Sequence, residues 1–351
     1  MTTEQIREEP GNIIYYNIWY GSPYQDYITG KIIDRFKQNW IAYDLDFEKV
    51  ADYVLVFDCA WEGLSSREIS AFFNQLTTQY GVNPRNFRVI FSCVEDVGQL
   101  PYPAICIPDR LIYIAAMLDR IDDIQWDNLP MDYQLTCLMR RASEDRAWLA
   151  KLLLDNFDRA QLMMTLGTGG VVVPDPIITD KFSKIVWPTK FPIEVIQETD
   201  SSRYNNTAFP VTTLFYQAPV NLIVESSSQT DVSVWHKIFI TEKTYKTLLW
   251  YQFPIWYAVP GLVNEVRKFG FDLFDDVFEN HYYDQIESTQ VRREEIVALL
   301  HRVISKYDLI DLRKQYWPRF QKNVAIFKQM HVNRQVQHQT LITALANAEY
   351  I

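Results

Sequence analysis

The chain has 351 residues, 48% hydrophobic and 22% charged, with a formal net charge of −10. These proportions belong to folded globular chains and exclude disorder, collagen-like repeats and coiled coil, and at roughly 150 residues per domain the length predicts two domains. No run approaches the ~20 apolar residues of a bilayer span, and Met1-Thr2-Thr3-Glu4-Gln5 lacks the basic, then apolar, start of a secretion signal, so no membrane partner is expected.

Short apolar runs alternate with helical patterns over the first 120 or so residues. Ile13–Tyr20 reads as a strand running into Gly21-Ser22-Pro23, and Tyr27–Phe36 as a helix. Val54–Asp58 reads as a buried strand and Ser66–Leu76 as a helix with Ser66 as its cap. Val89–Cys93 and Ala104–Pro108 supply two further strands. Asp122–Pro130 breaks the pattern with turn formers and marks a domain boundary.

The pattern then restarts with a strand at Tyr133–Met139, a helix at Glu144–Phe157 and a strand at Leu162–Leu166. Proline-rich sequence from Pro174 to Pro210 predicts a long irregular segment of the kind that caps a site. Val220–Val224 and Pro254–Ala258 are strands flanking a helix from about Glu242 to Tyr251, and the chain is helical from Arg292 onward. Strands alternating with helices predict an α/β protein with mainly parallel sheets.

Several chemistries are absent from the sequence. No G-x-x-x-x-G-K-[ST] or G-x-G-x-x-G motif follows a strand, there is no G-x-S-x-G elbow, and the five histidines show no zinc spacing. Gly167-Thr168-Gly169-Gly170 reads as a turn or a backbone cradle for an anion. Asp44-Leu45-Asp46 has the carboxylate spacing of some diphosphate-bound metal sites but fits a surface loop better, so no metal is expected. Cys59, Cys93, Cys106 and Cys137 are widely spaced in apolar surroundings, which predicts free thiols and a cytoplasmic setting.

The richest region runs from Val224-Glu225-Ser226-Ser227 through Phe239-Ile240-Thr241-Glu242-Lys243-Thr244-Tyr245-Lys246 to Phe253–Gly261. Thr241 is a good helix N-cap and Glu242 suits the positive helix end, while Tyr245, Leu248 and Gln252 share one face with Lys243 and Lys246 beside it. A cation at a helix N-terminus on the carboxyl edge of a parallel sheet suits a diphosphate; a well-capped amphipathic helix accounts for the same residues.

This run, with Phe269–Asp276, Glu279 and Tyr283-Asp284 after it, resembles the donor-binding signature of the α1,3-fucosyltransferase family and of related phage-encoded glycosyltransferase-like proteins. Those proteins carry F-E-N-S…Y-V-T-E-K…K-A-L ahead of two closing helices, and the likeness spans roughly Tyr133 to Arg293. The resemblance implies two Rossmann-like domains facing a cleft (GT-B type) with C-terminal closing helices. It places an acceptor domain at 1–128, a nucleotide-sugar donor domain at 129–305 and closing helices packing across the domains at 306–351. It further implies a metal-independent transferase with a nucleoside-diphosphate-sugar as co-substrate. Glu242 and Lys243 would contact ribose and diphosphate, and Arg146, with Arg140 near it, would grip the phosphates. Glu225, Thr241 and Lys246 complete the expected donor-binding set.

The catalytic base has no alignable motif. Position alone calls for a carboxylate at the carboxyl end of a first-domain strand; Asp58, Glu62 and Glu95 qualify, Glu62 first among them. The expected reaction is inverting sugar transfer to an acceptor hydroxyl, with a hydroxymethylated pyrimidine in phage DNA as the acceptor that the phage look-alikes imply, in the host cytoplasm. The alternatives are a glycan- or protein-directed transferase and a non-catalytic interaction or virion protein on the same fold. Arg313, Lys314, Arg319, Lys322, Lys328 and Arg334, interleaved with Tyr316, Trp317, Phe320 and Phe327, read either as a nucleic-acid track or as a packing helix pair.

Overall fold

A computed structural model describes residues 6–9, 13–17, 33, 36–38, 40, 45–59, 66–94, 98, 100–109, 112, 133–139, 144–158, 161–166, 218–225 and 238–347. The chain divides into two units, Met1–Leu111 with Val332–Ile351, and Ile112–His331. The expected linker at Asp122–Pro130 and the segment from Pro174 to Pro210 lie outside the described residues.

The first unit holds a five-stranded sheet in the order β1 (Ile6–Glu9), β2 (Ile13–Asn17), β3 (Val54–Asp58), β4 (Phe87–Phe91) and β5 (Ala104–Cys106). β2 to β5 are parallel and β1 is antiparallel to β2. β1 escapes a hydrophobicity reading because Ile6-Arg7-Glu8-Glu9 is mostly charged, which suits an edge strand paired on one side only.

Successive right-handed crossovers in one direction leave their connecting helices on one face of a sheet. On that face Ile14, Tyr16, Leu55, Phe57, Val89 and Phe91 meet Ile33, Phe36 and Trp40, and also Ile69, Phe72, Phe73 and Leu76 of helix α1 (Ser66–Tyr80). Edge-to-face pairs such as Phe57 with Phe72, 5.5 Å apart at 87°, make it an aromatic core. The other face needs a cover from elsewhere. Val56, Ile90 and Ile107 pack there with Ile342 and Leu345, from the end of the long helix Trp317–Asn347.

The second unit contains β6 (Leu135–Met139), α2 (Glu144–Asn156), β7 (Leu162–Leu166), β8 (Val220–Val224), α3 (Glu242–Leu249) and β9 (Phe253–Tyr257). α4 (Leu262–Arg267), α5 (Thr289–Lys306) and α6 (Leu309–Gln315) follow, with α7 (Trp317–Asn347) as far as His331, its residues from Val332 belonging to the first unit. Its parallel sheet has the order β9-β8-β6-β7. Every residue of β8 and β9 is buried, as expected of strands covered on both faces. From β6 the chain moves outward to β7, then returns to place β8 on β6's other side, so strand order reverses between β6 and β8. Open α/β sheets bind ligands outside the carboxyl ends of their strands at such a switch point.

α3 stops at Leu249, short of the expected Tyr251, because Tyr251 adopts a left-handed φ of 56° that ends a helix. The Tyr251 ring then stacks on Trp317 at 4.2 Å. Several side chains of the basic, aromatic stretch that runs from the end of α6 into α7 make internal contacts. Arg313 is buried, Arg319 forks onto Asp272 and Asp276, Lys314 pairs with Asp311, and Phe320 and Phe327 are fully buried.

Candidate functional site

The site is built around the first turn of α3. Thr241 is its N-cap, as the sequence predicts, with Oγ1 accepting from the Lys243 amide at 3.3 Å. Glu242 occupies the first turn, where its charge complements the helix dipole. Tyr245, Leu248 and Gln252 are buried. Asn221 of β8 anchors this helix from beneath, donating to Thr247 Oγ1 at 2.9 Å and Gln252 Oε1 at 3.2 Å.

Glu225 follows β8 directly and is 0% exposed. Its Oε1 accepts from the Thr241 amide at 3.2 Å and from Thr244 Oγ1 at 2.8 Å, and its Oε2 accepts from Thr241 Oγ1. Trp256 of β9 donates its indole N–H to Thr244 Oγ1 at 2.9 Å. The carboxylate is thus enclosed by the Thr241 and Thr244 donors.

Arg146 lies in the first turn of α2, the helix after β6, and its Nη2 donates to the Glu225 carbonyl at 3.2 Å. That bond spans the switch point, joining the segment after β6 to the segment after β8. The ladder between the two strands pairs Leu135 with Val220 and Thr136 with Asn221, at their amino-terminal ends. Next to Arg146, Asp145 pairs with Arg293 of α5 at 2.8 Å, both side chains nearly buried, which fixes the start of α2. Lys243 Nζ donates to Thr241 Oγ1 at 3.2 Å and sits 3.2 Å from Glu242 Oε1. Arg146 and Lys243 are near enough that the guanidinium disfavours the ammonium's charge.

The electrostatics follow from burial opposed by pairing. Burial pushes the Glu225 carboxyl up, against the pull of Lys243 and the threonine hydroxyls. Burial also works against the Glu242 charge, but Lys243 and Lys246 outweigh it and hold that carboxyl below its usual range. Lys243, its side chain 37% exposed, loses to burial and gains more from Glu242 and Glu225, so its ammonium is held above its ordinary range. For Lys246 burial, aided by the neighbouring Lys243 charge, outweighs the pull of Glu242 and lowers it to about 8. Three cations thus interact with two carboxylates, an arrangement suited to a ligand bringing further negative charge.

Of the expected base residues, only Asp58 is among the described residues. Glu62, Glu95, Arg140 and Gly167–Gly170 lie outside the described residues. Asp58 ends β3 in the first unit, 0% exposed, and accepts from Tyr15 Oη at 2.6 Å. Asp46 caps the 3-10 turn Phe47–Asp52. The sequence reading overlooked Thr244, Trp256, Asp145 and Arg293. Thr241 and Thr244 stand three apart, so they share a helix face, and that spacing was the available signal. No family model, curated protein or solved structure matches the chain.

Proposed function

We propose that the chain is a glycosyltransferase of the GT-B type, which moves a sugar from a nucleoside-diphosphate donor to an acceptor hydroxyl. The observation that carries this reading is the convergence of Arg146 and Lys243 on the Glu225–Thr241 junction, at the switch point of a parallel sheet. In it Arg146 and Lys243 bind the diphosphate, Lys246 adds charge, and Glu242 takes the ribose. A first-unit carboxylate, Glu62 before Glu95, removes the acceptor proton; the acceptor oxygen attacks the anomeric carbon, and the bond to the diphosphate oxygen breaks with inversion. Charge accumulates on the departing diphosphate, so preorganised cations stabilise the transition state more than the ground state.

The test is thermal shift against a panel of nucleoside-diphosphate-sugars, followed by transfer assays on hydroxymethylated DNA, unmodified DNA and oligosaccharides. Stabilisation by one donor, lost in Lys243→Ala and Arg146→Ala, is expected. Indifference of the folded protein to every donor overturns the proposal, and a product on oligosaccharides alone removes DNA as the acceptor.

A further inference from the structure

The hydrogen-bond directions around Glu225 are fixed by the chemistry of its neighbours. An indole N–H only donates, so Thr244 Oγ1 accepts from Trp256 and must send its single proton to Glu225 Oε1. An amide N–H and an ammonium likewise only donate. Thr241 Oγ1 accepts from the Lys243 amide and from Lys243 Nζ, which fills its two acceptor positions, and its proton goes to Glu225 Oε2. Glu225 therefore receives three donors, and a proton on Oε2 would meet a hydroxyl with no acceptor position left. The network has one consistent assignment, with Glu225 as a carboxylate.

We propose that Glu225 is a positioning residue for the anion site: acting through the Thr241 hydroxyl, it fixes the Lys243 ammonium in place and supplies its resident negative partner without touching the ligand. This deepens the diphosphate reading above and rests on it for the ligand class alone. Glu242, the other partner of Lys243, is less enclosed than Glu225, its side chain 13% exposed where Glu225 is 0% exposed. When Glu242 turns to a ligand hydroxyl, Lys243 keeps Glu225 behind it. The charged groups facing Lys243 are then Glu242 and Lys246 of α3, Glu225 after β8 and Arg146 of α2.

The test uses the full chain in two measurements. First, the Lys243 Cε resonance of ligand-free, 13C-lysine-labelled protein is titrated, with Lys243→Arg assigning the peak. Glu225→Gln is expected to lower its midpoint by about one pH unit. Second, calorimetry with inorganic pyrophosphate is expected to show about tenfold weaker binding in that variant. Should Glu225→Gln not fold, Thr241→Val removes the link while leaving the carboxylate, and is expected to weaken pyrophosphate about tenfold, with Thr241→Ser recovering most of the loss. A folded Glu225→Gln protein with an unmoved Lys243 midpoint overturns the positioning role, as does Thr241→Val binding pyrophosphate as tightly as the parent. Failure of the parent protein to bind pyrophosphate overturns the diphosphate reading instead, and the Lys243 titration still decides the role of Glu225.

Discussion

Arg146 Nη2 and the Glu225 carbonyl, 3.2 Å apart, join the two chain segments that leave the second sheet on either side of its reversal in strand order. Arg146 thus ties the edge together, and in the proposed reading its charge also faces the diphosphate. Arg146→Ala removes both roles and Arg146→Lys keeps charge without the fork. Charge-assisted bonds of this kind contribute about 1.5–3 kcal/mol, so Arg146→Ala is expected to weaken pyrophosphate 10- to 100-fold by calorimetry at fixed salt, roughly. Arg146→Lys should fall between the two. Equal affinity in all three proteins would remove Arg146 from the site.

Lys246 provides a pH signature. Its ammonium, lowered to about 8 by burial, is charged below that pH and neutral above it. Pyrophosphate affinity is therefore expected to decline as pH rises through about 8, well before Lys243 titrates. Lys246→Arg keeps the charge throughout and should move the decline upward in pH. A binding curve flat from pH 7 to 10 would show that Lys246 does not face the anion.

Most strands and helices are legible in the sequence because Val54–Asp58, Leu162–Leu166 and Val220–Val224 are apolar runs between turn formers, and the structure places strands there. The cap at Thr241 is legible too, since it depends on one side chain and the helix it begins. The role of Glu225 is not. A glutamate after a strand reads as a ligand contact, and only the meeting of Thr241, Thr244 and Trp256 around it reveals a buried carboxylate. The turn Glu279-Asn280-His281 is likewise hidden, because three successive non-glycine residues with φ of 50°, 57° and 52° are held by long-range bonds that no local pattern encodes.

That turn carries an acid-stability prediction. His281 is buried, its Nε2 bonded to the Leu273 carbonyl at 2.8 Å and its Nδ1 to Tyr283 Oη at 3.0 Å. A carbonyl only accepts, so the proton is on Nε2 and Tyr283 donates to Nδ1. Burial lowers this imidazole from its ordinary 6.5 to about 4. Between those values the unfolded chain binds the proton and the folded one does not, so stability falls as pH drops from 6.5 toward 4, by about 3 kcal/mol at the lower end. His281→Asn, whose side chain tolerates the left-handed backbone, is expected to be less stable at pH 7 and to lose less on acidification, read by urea unfolding. An identical acid slope in both proteins would place the titrating group elsewhere.

The returning end of α7 is the last point on which the first unit depends. With its crossover helices on one face, the sheet leaves Val56, Ile90 and Ile107 to be covered by Ile342 and Leu345, which are 7% and 6% exposed. A polar tie reinforces the cover: Asp109, just after β5, takes His338 at 3.1 Å and Arg334 at 3.0 Å. Leu345→Ala removes packing atoms from that face and is expected to cost about 2–4 kcal/mol, within the range for a buried leucine. The loss should appear first as faster amide exchange at Val56 and Ile90, since β3 and β4 lose their cover while the aromatic core on the opposite face is untouched. Ile342→Asp buries an unpaired charge on the same face and should unfold this unit outright. Unaltered exchange at Val56 and Ile90 in Leu345→Ala would mean that the strands hold this face without the helix, contrary to what their one-sided crossovers require.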